Sequence, residues 1–111
     1  MNTFLVLYNS PTPAAEMMAN VTPEQAEAGM AGWTAWADRN RDAILDLGVP
    51  LGSGKHLEPG TASAGSSQAT GYSIIQADSL DAASKILEDH PHFHTPGGTI
   101  EVLEFLQMPG M

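Results

Sequence analysis

Apolar side chains along the chain form four short runs and two helical stripes. Three of the short runs are rich in residues typical of buried or half-buried strands, and the second run, which contains glycines, predicts a weaker strand. They span Thr3–Tyr8, Val49–Glu58, Gly71–Ala77 and Thr99–Gln107. The two stripes have helical spacing and follow turn-forming residues. The pattern therefore predicts the element order β, α, β, β, α, β.

The first predicted helix begins at a strong capping sequence. Thr22 can cap the helix, Pro23 suits the first helical position, and Gln25 completes a capping box. We expect this helix to run to Leu47 and to stop at Gly48, since glycine is the usual residue after a helix end. Its apolar stripe consists of Met30, Trp33, Ala37, Ile44 and Leu47.

The second predicted helix opens at Asp78–Asp81 with a capping side chain and first-turn acids. It ends before Pro91, because proline disfavours helical geometry in the preceding residue. Residues Pro59–Thr70 are small, polar and unpatterned, which predicts a long mobile connection. Ala14–Val21 is either a helical turn or an ordered loop, and Met108–Met111 is a tail.

The element order predicts an α+β fold of the ferredoxin-like type. In this βαββαβ sandwich, a four-stranded antiparallel sheet carries two helices on one face. A chain of 111 residues is one domain, spanning residues 1–111. The first and last strands are apolar on both faces. We therefore expect the uncovered sheet face to pair with a second copy in a homodimer, a dimeric α/β barrel.

Charge and composition limit the classes of partner that the protein is expected to bind. Thirteen acidic residues face four basic ones, for a net charge of −9, which repels nucleic acid and anionic membranes. We expect a small-molecule ligand, itself cationic or neutral, and no cofactor. The absence of cysteine excludes disulfides and thiolate chemistry. The N-terminal run is short and lacks a basic region, so we expect no signal peptide and a cytoplasmic protein.

Candidate chemistry concentrates in the stretch Glu88–Met108, which contains three of the four histidines. In the predicted topology, its histidine-rich turn lies at the same end of the sheet as Tyr8, Asn9 and His56. A histidine beside a carboxylate is the usual general base. The expected proton-transfer residues are His56, His92 and His94, and the expected substrate contacts are Tyr8, Trp33, Trp36 and His90.

Three functions stay open on the residues alone. The first is an enzyme that uses cofactor-independent acid–base or elimination chemistry on a small aromatic molecule. The second is a non-catalytic binding or accessory dimer, in which Trp33 and Trp36 serve as core residues. The third is a metal-binding protein that uses His90, His92 and His94, with His56 as a fourth donor, a set suited to zinc, nickel or copper. Gly52–Lys55 lacks the full phosphate-loop pattern and is not assigned as one.

Four segments carry a resemblance to a known family: FLVLY, TPEQ, GYSIIQADSLDAASKILEDHP and GGTIEVLEFLQM. They resemble the YCII-related proteins of the dimeric α/β-barrel superfamily. The resemblance implies a homodimer whose sheets pack face to face, with a pocket in each subunit. It also implies, for part of the family, a His–Asp pair with the histidine early in the first helix. One similar protein is a dehydrochlorinase acting on a hydroxylated aromatic ring.

This chain departs from that family pattern. Its predicted first helix contains Trp33 and Trp36 but no histidine. The family pair is therefore not carried over, and proton transfer would have to come from His56, His92 or His94.

Overall fold

The protein, seen in a computed structural model, has an α+β fold, as predicted. The structure describes residues 1–110, so Met111 at the end of the predicted tail lies outside it. The strands are β1 (Asn2–Asn9), β2 (Ile44–Asp46), β3 (Lys55–Glu58), β4 (Thr61–Ala64), β5 (Ala69–Ala77) and β6 (Thr99–Glu104). The helices are α1 (Ala14–Asn20), α2 (Pro23–Arg39) and α3 (Leu80–Leu87). Across residues 1–110, no helix has the length and apolarity needed to cross a bilayer.

The main sheet has four antiparallel strands in the order β2–β5–β1–β6. Its two long central strands, β1 and β5, pair from Asn2 opposite Ala77 to Asn9 opposite Ala69. This order is consistent with the predicted ferredoxin-like arrangement, in which the first and third sheet strands lie at the centre.

The core lies between this sheet and the helices. Successive strand residues point to opposite faces, so alternate residues of β1 and β5 are buried. Trp36 of α2 and two residues of α3 close the core from the other side. The buried cluster consists of Phe4, Val6, Tyr8, Trp36, Ile75, Ala77, Ala83 and Leu87.

Both predicted helix starts are confirmed by their caps. The Thr22 hydroxyl accepts from the Gln25 backbone N–H at 3.1 Å, and the Gln25 side chain accepts from the Thr22 N–H at 3.0 Å. Ser79 caps α3 by accepting from the Ala82 N–H at 3.1 Å. These side chains satisfy donors that a helix N-terminus leaves without intrahelical partners.

The prediction that the first long helix reaches Leu47 is wrong. The helix ends at Arg39, where the Asn40 amide donates to the Trp36 carbonyl at 2.9 Å. The chain then turns, and Ile44–Asp46 pairs with β5 as the edge strand β2. The apolar spacing of Ile44 and Leu47 fits a helix, but pairing with the exposed edge of β5 satisfies the backbone there.

Gly48 is a point of close backbone approach and not a helix stop. It adopts a φ of +83°, which favours glycine. A Cβ at this position would lie 1.7 Å from the Tyr72 carbonyl oxygen. The missing side chain therefore lets the segment after β2 lie directly against β5.

The prediction of a second strand over the whole of Val49–Glu58 is also wrong. The last four of these residues form β3, which pairs with β4 in a separate two-stranded ribbon. Pro59 and Gly60 connect the two strands, and Gly60 has a φ of +77°, as suits a turn with proline followed by glycine. The expected mobile connection Pro59–Thr70 therefore contains a strand, although every ribbon residue is exposed.

The remaining boundaries differ less from the predictions. Ala14–Asn20 is a helix, which settles the choice left open for that segment. The last strand ends at Glu104, earlier than the predicted Gln107. The predicted third strand and second helix are present, as β5 and α3.

Candidate active site

The histidine-rich turn has a different shape from the extended one assumed in the sequence argument. Residues Pro91–His94 form a 3₁₀ turn, so the three histidines do not share one side. His90 and His92 are buried, whereas His94 is exposed. Within residues 1–110, no three His, Cys, Asp or Glu side chains group as a metal site. The metal-binding alternative therefore finds no donor set in the turn.

His90 lies inside an aromatic cluster. Its ring centre is 4.7 Å from that of Tyr8, 4.5 Å from Trp33 and 4.4 Å from Trp36. Its Nδ1 accepts from the His92 backbone N–H at 2.9 Å. The neutral ring therefore carries its hydrogen on Nε2, which has no hydrogen-bond partner among the described residues. The ring is 1% exposed and lies among the rings of the aromatic cluster, so His90 is packed within the core.

The pKa of His90 is lowered to about 4, chiefly by burial and also by His92, while Asp89 opposes the shift. The buried ring is therefore neutral at pH 7.

We expect acid to destabilise the protein through His90. An unfolded histidine titrates near its ordinary pKa of 6.5, while folded His90 titrates near 4, so the unfolded chain binds the proton first. The stability that neutral His90 contributes is present above pH 6.5 and falls as the pH drops toward 4. Between pH 7 and pH 5 the loss is about 2 kcal/mol. Urea unfolding at the two pH values measures it.

A His90→Phe variant should lose less stability over the same pH interval, because its apolar ring does not titrate. His94→Gln, which replaces an exposed histidine, should retain the wild-type pH dependence. Equal losses in wild type and His90→Phe would contradict this assignment.

His92 ties the turn to the end of β1. Its Nε2 donates to the Asn9 carbonyl oxygen at 2.8 Å, since a carbonyl can only accept. Its ring also lies 5.4 Å from that of Tyr8. The turn and the end of β1 thus meet as the topology predicted, and the contact is mainly structural in character.

The Tyr8 hydroxyl belongs to a chain of internal hydrogen bonds. The Ser73 hydroxyl donates to the Leu47 carbonyl at 2.7 Å, so the Tyr8 hydroxyl donates to Ser73, also at 2.7 Å. Burial raises the pKa of Tyr8 to about 12. The phenol is therefore neutral and buried in the core.

The two tryptophans differ in exposure. Trp36 is fully buried, and its indole N–H donates to the Ile86 carbonyl at 3.0 Å. Trp33 is half-buried and packs edge-on against Tyr8 at 4.9 Å. Of the four predicted substrate contacts, Trp33 is the one with appreciable exposure.

Sequence reasoning missed Ser73, the residue that holds Tyr8 and Leu47 together. The signal was present, because Ser73 alternates with Ile75 and Ala77 on the inward side of β5. A hydroxyl at such a position needs an internal partner.

His56 lies away from the turn, on the exposed ribbon. Its Nε2 is 3.2 Å from Glu58 Oε1, and the two side chains are 56% and 66% exposed. Residues two apart in a strand share a face, which explains the pairing. With Nε2–H directed at the carboxylate, the neutral ring presents an unprotonated Nδ1, the arrangement of a histidine base with an orienting carboxylate.

A groove of about 830 Å³ lies beside His56. One wall is the segment from Ser10 to Ala15, which follows β1. The other walls are residues 51–56 and 64–70, at the open end of the ribbon. His56 is thus the histidine of the predicted set that lines a space large enough for a small ligand.

No family model and no curated protein matches this sequence. Among solved structures, the chain is similar to TftG, the 5-chloro-2-hydroxyhydroquinone dehydrochlorinase from Burkholderia phenoliruptrix AC1100, in complex with 2,5-dihydroxybenzoquinone. The two share 16% identity over 97% of this chain and 96% of that chain, with a TM-score of 0.55. At this identity the likeness shows a shared fold alone.

Proposed function

We propose that this protein is a small-molecule enzyme of the dimeric α/β-barrel superfamily that performs cofactor-independent acid–base chemistry. The groove beside the ribbon is its site, and His56 is its proton-transfer residue. The observation that carries the proposal is the His56–Glu58 hydrogen bond at the edge of this groove. The fold shared with a dehydrochlorinase supports elimination on a hydroxylated aromatic ring as the reaction.

The proposed chemistry requires a base that can take and return a proton. Net loss of HCl converts a chlorinated hydroquinone to a quinone. One hydroxyl proton moves to the carbon that bears chlorine, chloride leaves with its bonding electron pair, and a base takes the second hydroxyl proton. His56 Nδ1 would carry these protons, while Glu58 stabilises the imidazolium that forms.

The other histidines have structural roles in this proposal. His92 holds the end of β1, where Asn9 leads into the groove wall. His94 is exposed on the turn. Neither is assigned a role in proton transfer, although the sequence alone made both of them candidates for it.

The proposal is tested by incubating the protein without oxygen with 5-chloro-2-hydroxyhydroquinone and measuring chloride release. Anaerobic conditions are needed because hydroquinones oxidise in air. We expect release above the rate without protein. No release, with no binding of 2,5-dihydroxybenzoquinone to the groove, would contradict this reaction and this ligand class.

A second candidate function is ligand binding without catalysis. The observation that favours it is the exposure of His56 and Glu58, both more than half accessible to water. A site that excludes water poorly gains less from electrostatic stabilisation of a transition state. Binding of 2,5-dihydroxybenzoquinone without chloride release would support this function over the enzyme.

We also propose that the protein forms a homodimer through the open face of the main sheet, in the cytoplasm. This face carries Leu5, Leu7, Ile74 and Leu103 on adjacent strands, with Leu5 paired to both Ile74 and Leu103. The lack of cysteine supports the location. A contiguous apolar face of this kind is typical of a protein–protein interface.

Leu103→Lys is expected to convert the dimer to a monomer, because it places a charge in the apolar face, directly beside Leu5. Leu103 is 48% exposed, so the monomer should still fold. Light scattering after size exclusion should give twice the 11.7-kDa chain mass for the wild type and one chain mass for the variant. Leu80→Lys is a matched control, since Leu80 is 51% exposed on α3. A wild-type monomer, or a dimer that survives Leu103→Lys, would contradict the proposal.

A further inference from the structure

The groove differs from the rest of the surface in charge. The chain has thirteen acidic residues and four lysines or arginines. Yet among the described residues that line the groove, none is aspartate or glutamate, and Lys55 is one of them. The lining itself therefore carries one positive charge, in a protein whose net charge is −9. The carboxylate at the groove edge, Glu58, is already hydrogen-bonded to His56.

Lys55 is available to a ligand. The two arginines are paired, Arg39 with Asp89 at 3.4 Å and Arg41 with Asp38 at 3.5 Å. For Lys55, by contrast, the structure of residues 1–110 shows no ion pair or hydrogen bond to a side chain. An ammonium group beside a groove, with no carboxylate nearby in its lining, attracts an anion.

The remaining groove walls supply donors that suit oxygen anions. Ser53 and Ser66 contribute hydroxyls, and Ser67 accepts from the Ala69 N–H at 3.1 Å, which leaves its own hydrogen available to donate. The glycines at positions 52, 54 and 65 also line the groove, and they have no side chain to cover their backbone there. Hydroxyl and amide donors around one ammonium are typical of carboxylate and phenolate recognition.

We infer that the groove selects a small aromatic anion, a ring bearing a carboxylate or an ionised hydroxyl, with Lys55 as its charge partner. The inference deepens the proposed function, because it assigns the substrate class to the same groove. It also departs from the expectation of a cationic or neutral ligand drawn from net charge. Gly52–Lys55 leads into the strand β3 and not into a helix, so the groove is not a phosphate loop.

Calorimetric titration with benzoate and benzamide tests the inference, because the two differ mainly in charge. At pH 7 and low salt we expect the wild type to bind benzoate about 10-fold more tightly than benzamide, a preference that salt should weaken. Lys55→Gln should remove the preference. Lys85→Gln makes the same charge change on an exposed residue of α3 outside the groove, and should keep it.

Equal affinity for the two compounds in the wild type would overturn the inference. So would equal effects of Lys55→Gln and Lys85→Gln, because bulk charge would then explain the preference. These titrations are independent of turnover. An anion preference without chloride release would support the inference about the groove and contradict the proposed dehydrochlorination. Chloride release without an anion preference would support the proposed reaction and contradict the inference about the groove.

Discussion

His56→Gln is expected to lower kcat/KM for chloride release by about 10²–10⁴-fold, the usual contribution of a general acid–base group. The glutamine amide can keep a hydrogen bond to Glu58 like that of His56 Nε2, but its carbonyl oxygen is too weak a base to take a proton in place of Nδ1. The loss should therefore fall on proton transfer and leave the ribbon intact. Initial rates at saturating and limiting 5-chloro-2-hydroxyhydroquinone separate kcat from KM, and kcat should carry the loss.

His92→Gln and His94→Gln make the same substitution at the two competing histidines. If either one lowers kcat by a comparable factor while His56→Gln does not, the assignment to His56 is wrong. Glu58→Gln should give a smaller loss than His56→Gln, because it keeps a partner for the ring and removes the charge that stabilises the imidazolium.

Trp36→Ala is expected to cost about 3–5 kcal/mol of the free energy of unfolding, the usual range for a buried tryptophan reduced to alanine. The side chain is fully buried and contacts the ring of His90 at 4.4 Å between centres. Truncation leaves a cavity and removes the donor to the Ile86 carbonyl. Urea denaturation at pH 7 measures the change from the transition midpoint and slope.

Two further variants bracket this result. Trp36→Phe keeps most of the ring volume and loses the indole N–H, so we expect about 1–2 kcal/mol. Trp33→Ala should cost less than Trp36→Ala, because Trp33 is only half-buried. A Trp36→Ala cost no larger than that of Trp33→Ala would contradict the place of Trp36 at the centre of the core.

Local sequence signals were enough to place the helix starts and the central strands. The helix starts are predictable because a cap is a contact between near neighbours in sequence. Thr22 and Gln25 mark the start of α2, and Ser79 marks the start of α3. Strands β1 and β5 are visible because their apolar runs are short and end in turn formers. These features depend on a few adjacent residues, and that is why the helix starts and the two central strands could be predicted.

The end of the long helix could not be found in this way. Ile44 and Leu47 continue a helical stripe, yet Ile44 pairs with Ile75 in the sheet. Whether Ile44 continues the helix or forms a strand depends on the edge of β5, about thirty residues further along the chain. The residues near Ile44 give no sign of that pairing. The ribbon is a similar case: Pro59–Gly60 marks a turn, but nothing nearby indicates that the hairpin stays outside the main sheet.

The sequence identified residues of the candidate site, but it did not show how they are arranged. His56 was named, but its place on the groove depends on the separate ribbon. His90 was read as a ligand contact, whereas it fills the core among Tyr8, Trp33 and Trp36. The sequence names a histidine but does not show whether its ring is buried, and burial is what makes His90 a core residue.

The central claim is that a small hydroxylated aromatic ligand meets His56 in the groove. The most direct test is side-chain ¹H–¹⁵N NMR of the four histidines during titration with 2,5-dihydroxybenzoquinone. We expect the His56 ring resonances to shift progressively, while those of His90 in the core stay in place. Saturable binding that shifts His92 or His94 and leaves His56 unmoved would contradict it.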